Sequence, residues 1–332
     1  MLQPPQPRAP STEEVRDRRL DRLRHYGRQV GLPLVVAALI GLFTATSDVF
    51  FSAQNFRNIG VAAAALAAVS FGQTFTILTA GLDLSVGSTV ALVSIVGAFA
   101  MRNYGVGPGV LAALACGAAA GLVNGLVITK LKVFPVIATL ATLSIFSGLA
   151  LSLSAGVPVT GVPVDFSDLA YELVFGIPVP VVIAAAVLIV SHVILTYTRL
   201  GRRIYAVGGN EEAARLSGIN IDGVKLAAYA LSGFCAAVGS VILTARVASG
   251  QPALGASLPL ESVAAVVLGG VSLFGGRGSV IGVAFGVMFV SILSNGLNML
   301  NVSSYTQMMV IGAALILAVA LDQVLMGTRG GK

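Results

Sequence analysis

The chain returns repeatedly to long apolar stretches almost free of charge, at 30–46, 59–80, 86–101, 110–129, 136–155, 179–197, 224–246, 258–274, 280–296 and 305–325. A helix needs roughly 17–25 mostly apolar residues to cross the hydrocarbon of a bilayer. In lipid, a helix also satisfies its own backbone hydrogen bonds. The pattern predicts an all-α polytopic membrane protein with about ten transmembrane helices. Composition agrees: 56% of the 332 residues are hydrophobic and 10% are charged, against about 25% charged in a soluble domain. The 39 glycines suit membrane helices that pack closely through small side chains.

The net charge of +6 marks membrane topology and carries no nucleic-acid reading. With ten spans and the N-terminus inside, 17 of the 20 basic residues fall on the cytoplasmic side and only Arg57, Arg102 and Arg246 fall outside. Cytoplasmic loops carry such an excess of Lys and Arg. The expected organisation is a cytoplasmic tail at 1–29, a transmembrane domain at 30–325 and a cytoplasmic tail at 326–332. Residues 12–24 read as a short amphipathic helix on the membrane surface. Residues 154–178 hold Asp165, Asp168 and Glu172 but no basic residue. They are expected outside, with a short helix of their own, and with 48–58 they offer a docking surface there. Ten spans divide into five plus five, which makes the halves antiparallel, an inverted repeat.

The cytoplasmic loop 198–223 is the most informative segment. It opens on the basic collar Arg199-Leu200-Gly201-Arg202-Arg203, and Gly208-Gly209 then breaks the chain. Asn210 is a good N-cap. Glu211 and Glu212 complement the dipole in the first turn, and Gly218 is placed as the C′ residue. The result is a self-capped helix of about two turns, with Ala213 and Ala214 permitting close approach by a partner. The same features suit a solvated connector that reverses the chain.

Asp83 lies in a glycine-flanked break, Gly81-Leu82-Asp83-Leu84-Ser85-Val86-Gly87-Ser88. A carboxylate there must face water, a partner or hydrogen-bond donors. It reads as a gate or hinge built on Gly81, Asp83 and Gly87, or as a simple turn. Polar side chains inside spans include Ser70, Gln73, Asn124 and Asn295, and the amides Gln73, Asn124 and Asn295 are the candidate pore-lining groups. Span centres without charge suit a neutral polar solute and disfavour proton coupling.

Cys116 and Cys235 each sit in an apolar run, and His25 and His192 lie far apart, so neither a disulfide framework nor a metal site is expected. No Gly-x-x-x-x-Gly-Lys-Ser/Thr run is present, and no catalytic constellation is apparent. Any ATP, with its Mg, belongs to a separate subunit.

The run Arg199 to Ile219 resembles the coupling loop of the ribose-type, simple-sugar permease family of ATP-binding-cassette importers, related to the branched-chain amino-acid permeases. Three further stretches match: Gly81 to Ser88, Phe134 to Leu140, and Leu268 to Ser279. Glu212-Ala213-Ala214 followed by Gly218 also matches the start of a broader importer-permease signature, whose later Ile-x-Leu-Pro part is missing. The resemblance implies a permease subunit that forms the path for a simple sugar or similar small neutral solute. It implies that Gly209, Asn210, Glu211, Glu212, Ala213, Ala214 and Gly218 couple to the ATPase. It further implies an ATP-binding-cassette ATPase, a periplasmic or extracellular solute-binding protein and a second permease subunit as partners. The competing reading is a stand-alone ion-coupled secondary transporter.

Overall fold

The computed structural model describes residues 31–327; the tail expected at 1–29, with the surface helix expected at 12–24, and all but the first two residues of the tail expected at 326–332 lie outside them. Among the described residues thirteen helices follow one another: α1 (Gly31–Thr46), α2 (Ala53–Leu78), α3 (Val86–Tyr104), α4 (Val106–Lys130), α5 (Pro135–Ser154), α6 (Val164–Asp168), α7 (Val179–Tyr197), α8 (Arg199–Gly209), α9 (Glu211–Leu216), α10 (Ile221–Val247), α11 (Leu258–Leu268), α12 (Val280–Met299) and α13 (Ser304–Gly327). Among the described residues, seven are long and apolar enough to cross a membrane: α2, α3, α4, α5, α7, α10 and α12. Three shorter apolar helices, Gly31–Thr46, Leu258–Leu268 and Ser304–Leu317, fall on the remaining predicted runs. The protein is therefore an all-helical, multi-pass membrane protein.

Helix α2 starts earlier than its apolar run predicts, at Ala53. Ser52 caps it by accepting from the Asn55 N–H, so the first turn carries polar residues. The segment 154–178 holds the short helix α6 and also a hairpin, Leu173–Val174 paired with Ile177–Pro178, that the sequence reading did not include.

The eighth predicted run differs most. Its helix ends at Leu268, because Gly270 adopts a φ of +83° and the chain turns there. Before it, the non-helical stretch 248–257 does not stay at the surface. Gly250 lies against Ser94 and Ala98 of α3, Gly255 against Val90, and Pro259 against Gly87. The chain thus descends α3 by about 16 Å at about 1.5 Å per helical residue. Irregular backbone at membrane depth survives only where protein satisfies it. Here Gly250 exchanges two backbone hydrogen bonds with Val159 (2.7 and 2.9 Å), and the Gln251 N–H donates to Ser94 Oγ at 3.2 Å.

Helices α2 and α10 form the centre, flanked by α3, α4, α7, α11 and α12. On α4, Gly117, Gly121 and Gly125 repeat every fourth residue and lie against Gly233, Tyr229 and Leu226 of α10. A methyl group at Gly121 would overlap the Tyr229 carbonyl, so the two backbones meet as closely as small-residue stripes allow.

Connections alternate between two ends. At one end the Gly276 N–H donates to Leu78 O at 2.9 Å, Tyr205 OH donates to Gly278 O at 2.8 Å, and Lys132 pairs with Asp222 at 3.0 Å. This brings together 79–85, 131–134, 198–220 and 269–279. At the other end Val159 bridges Gly250, and Phe166 packs with Met101 and Ala245.

Candidate functional site

The surface helix α9 forms where its capping residues predict. Asn210 Oδ1 accepts from the Ala213 N–H at 2.9 Å. At the far end Gly218 takes a φ of +77°. Its N–H donates to Arg215 O, and the Ile219 N–H reaches back to Ala214 O at 3.1 Å. That pair of bonds is the glycine-closed C-cap, and it satisfies carbonyls the short helix would leave open.

One expectation about this helix is corrected. Ala213 is exposed, but Ala214 is buried in the main apolar core with Ile204, Val207, Ile221 and Val224. Five of the six residues of α9 are exposed, and Ala214 alone turns to the body. Ala213, Glu211 and Glu212 remain available to a partner; Ala214 holds α9 to the body. Gly209 is exposed, and a side chain added there would meet open space, although Gly276 packs against its backbone.

The sequence reading also missed a helix. The collar at 199–203 belongs to α8, capped by Thr198 accepting from the Gly201 N–H at 3.2 Å. Gly201, Ile204 and Val207 are buried while Arg202 and Arg203 stay exposed. The spacing of those three, with threonine just before, was the available signal. Where α8 ends, Gly208 meets Leu78 O and Gly276 N so closely that an added methyl group would overlap the Leu78 carbonyl. Burial pushes the Tyr205 phenol above its ordinary range, so it stays protonated and donates to Gly278 O. The loop carrying α9 is thereby fastened to the end of α2 and to the glycine-rich connection before α12. Lys225 to Glu211 (2.7 Å) and Arg215 to Glu211 (3.6 Å) add exposed ion pairs, each worth no more than about 1 kcal/mol. A cleft of about 380 Å³ opens beside α9, lined by Thr129, Lys132, Phe134, Glu211, Asp222 and Lys225.

Behind this junction lies a sealed polar cluster around Asp83. One carboxylate oxygen accepts from Ser85 N–H (3.1 Å), Ser85 Oγ (2.6 Å) and Asn124 Nδ2 (3.4 Å); the other accepts from Ser232 Oγ (3.0 Å). Asn124 Nδ2 also donates to Ser85 Oγ, and Thr142 Oγ1 donates to Asn124 Oδ1 at 2.6 Å. Gln73 Nε2 donates to Asp83 O at 3.0 Å. Thr139 and Tyr229 hydroxyls both donate to Leu82 O. Groups from α2, α4, α5 and α10 thus converge on the break between α2 and α3, and all these side chains are buried. Gly81 lies against the Tyr229 hydroxyl, and Gly87, in the first turn of α3, against Gly255 of the non-helical stretch 248–257.

The three candidate pore amides do not line one common path in this conformation. Gln73 and Asn124 belong to the Asp83 cluster. Asn295 instead pairs reciprocally with Asn55 at 3.1 and 3.2 Å, at the opposite end of the molecule. Ser85 and Ser232 were missed, because nothing local in the sequence distinguishes a serine that reaches a distant carboxylate.

The fold is that of a multi-pass helical membrane protein with a capped surface helix anchored over a sealed polar junction, and comparison with known protein families gives its class as a membrane permease. The family model described as branched-chain amino acid transport system / permease component matches residues 55–319, and the chain belongs to that family. It is similar to the ribose import permease protein of Bacillus subtilis strain 168, 42% identical over 300 residues, 89% of this chain and 93% of that protein. The ribose import permease protein of Escherichia coli K12 is 40% identical, covering 87% of this chain and 92% of its own. The L-arabinose transport system permease protein of E. coli K12 is 37% identical, covering 89% and 90%. No solved structure matches. The chain is a permease component of a transport system.

Proposed function

We propose that this chain forms the translocation path for a simple sugar or a similar small neutral polar solute. The observation that carries the reading is full-length similarity at 36–42% identity to permeases named for ribose, D-allose and L-arabinose. The interior is in keeping with a neutral polar solute. Among the described residues Asp83 is the only buried charged side chain, and the rest of the buried polar surface consists of hydroxyls and amides, groups that pair with the hydroxyls of a sugar.

In this reading all ten apolar helices traverse the bacterial inner membrane, both termini are cytoplasmic, and α11 with the stretch before it makes one broken span. An inverted repeat is part of this reading. Exchanging α2 with α10, α3 with α11, α4 with α12 and α5 with α13 carries the packing of these eight helices onto itself, whereas α1 and α7, which both lie against α12, stand outside the exchange. Helix α3 packs on α4 and α5 as α11 packs on α12 and α13; α4 meets α10 as α12 meets α2; and the α2–α10 pair maps onto itself. A transmembrane domain at 30–325 carries 198–223 as the coupling loop between its halves.

The ATP-binding-cassette ATPase, holding ATP and Mg, docks on α9. Exposed Leu131, Phe134 (65% exposed) and Leu216 (81% exposed) near the adjoining cleft supply apolar contact. A solute-binding protein approaches 154–178 from the other side, and a second permease subunit completes the pathway. Gly81, Asp83 and Gly87 form the gate.

Reconstituted with its ATPase and binding protein, the permease is expected to accumulate at least one of D-ribose, D-allose and L-arabinose only when ATP is supplied. Uptake of leucine in place of every sugar, or uptake driven by an ion gradient without the ATPase, overturns the assignment. Orientation has its own check. With Cys116 and Cys235 replaced, a cysteine at Asp168 should react with an impermeant thiol reagent from the periplasm, and one at Glu211 should not. The reverse pattern removes α9 from the ATPase's side.

A further inference from the structure

Two buried polar atoms have no partner in this conformation among the described residues: Ser70 Oγ and Gln73 Oε1. Both side chains are fully buried. They lie one turn apart on α2, the helix at the centre of the bundle. Nearby hydroxyls on the same helix behave differently: Thr74 donates to Ser70 O at 2.8 Å and Thr76 to Gln73 O at 2.9 Å. Ser70 makes no such back-bond. The orientation of Gln73 is fixed, because its Nε2 donates to Asp83 O. Turning the amide over would set two carbonyl oxygens against each other, so Oε1 must be the end left open.

Leaving a buried donor or acceptor unmade is costly, and each such group in a native protein needs a reason. The positions supply one. Positions 65, 69 and 72 of α2 face α10. Gln73 points to the break before α3, where its Nε2 meets Asp83 O. At about 100° per residue, Ser70 stands about 60° round α2 from Gln73 and one turn further from that break. One unmade group therefore belongs to the cluster that closes the path from α9, and the other lies one turn from it.

We infer that Ser70 and Gln73 form a polar step that contacts the solute's hydroxyl groups when the junction around Asp83 opens. A hydroxyl of the solute would donate to Gln73 Oε1, and a neighbouring oxygen would share a hydrogen bond with Ser70 Oγ. A sugar, with adjacent groups that both donate and accept, matches one open acceptor beside one open hydroxyl. The inference rests on the sugar-permease reading and adds the residues that meet the solute.

Ser70→Ala separates this role from a structural one. If the hydroxyl only fills space, its removal eliminates an unmade polar group and leaves uptake unchanged. If it meets the solute, the maximal uptake rate falls about fivefold or more, the equivalent of a lost hydrogen bond or two. The melting temperature in detergent should stay the same or rise. Half-saturation should not move, because the binding protein sets it. Ser70→Thr, which keeps the hydroxyl, should recover much of the rate.

The probe is whichever of D-ribose, D-allose and L-arabinose the wild-type complex carries. Unchanged uptake by Ser70→Ala overturns the inference, and so does a lowered rate that comes with a lowered melting temperature. Failure of the wild type on all three sugars is a separate result. It removes the sugar reading, and the solute contact with it.

Discussion

Ala213→Arg is expected to abolish both assembly with the ATPase and solute uptake while leaving the permease folded in the membrane. Ala213 sits on the exposed side of α9, in a helix whose own capping bonds are complete at both ends. Its side chain touches no core residue, so a longer one changes nothing inside the protein. At a close helix-in-groove contact, by contrast, a guanidinium adds a clash and a desolvation cost. The loss of about 3 kcal/mol at such a centre lowers affinity by roughly two orders of magnitude. Ala214→Arg makes the contrast sharp. Ala214 is buried with Ile204, Val207 and Val224, and an arginine there would force the loop off the body. That variant should expose 198–223 to protease and lower the melting temperature; Ala213→Arg should do neither. The checks are co-purification with the ATPase, uptake and limited proteolysis on the same preparations. Normal assembly by Ala213→Arg would reduce α9 to a connector.

The contrast between these neighbouring alanines shows where sequence reading stops. Asn210 and Gly218 could be placed as caps because capping depends on residues within one or two turns. The ten helical stretches were legible for the same reason, since lipid demands long apolar runs. Which alanine faces inward depends on how α9 rests on α8 and α10, and no local pattern in six residues records it. The stretch 248–257 falls between two predicted runs, and its glycine-rich, weakly polar composition does not tell a surface loop from a buried crossing. The Asp83 cluster was half legible. An aspartate in a glycine-flanked break signals that donors must be near, but Asn124 and Ser232 reach it from helices far along the chain. The three pore amides look equivalent in sequence, and the fold sends them to opposite ends.

Asp83→Ala should have the largest effect of any single change in the buried interior. The carboxylate accepts from Ser85 N–H, Ser85 Oγ, Asn124 Nδ2 and Ser232 Oγ, and among the described residues no cation stands beside it. Removing it leaves donors from α4, α10 and the start of α3 facing one another. A buried donor without a partner costs about 1–3 kcal/mol, so the loss is several kcal/mol. The melting temperature in detergent should fall by on the order of 10 °C. Uptake should disappear even in the fraction that remains folded, because the break between α2 and α3 loses the groups that set its closed form. Asp83→Asn should fall between wild type and alanine: its carbonyl keeps one acceptor, while its amide meets another donor. The cause can be isolated by combining Asp83→Ala with Ser232→Ala. If orphaned donors are what destabilise the single variant, deleting the Ser232 hydroxyl as well should recover part of the loss, a non-additivity of about 1 kcal/mol. Strict additivity would mean that Asp83 acts through the packing of its own loop, and the cluster would then not be the lock between α9 and the membrane path.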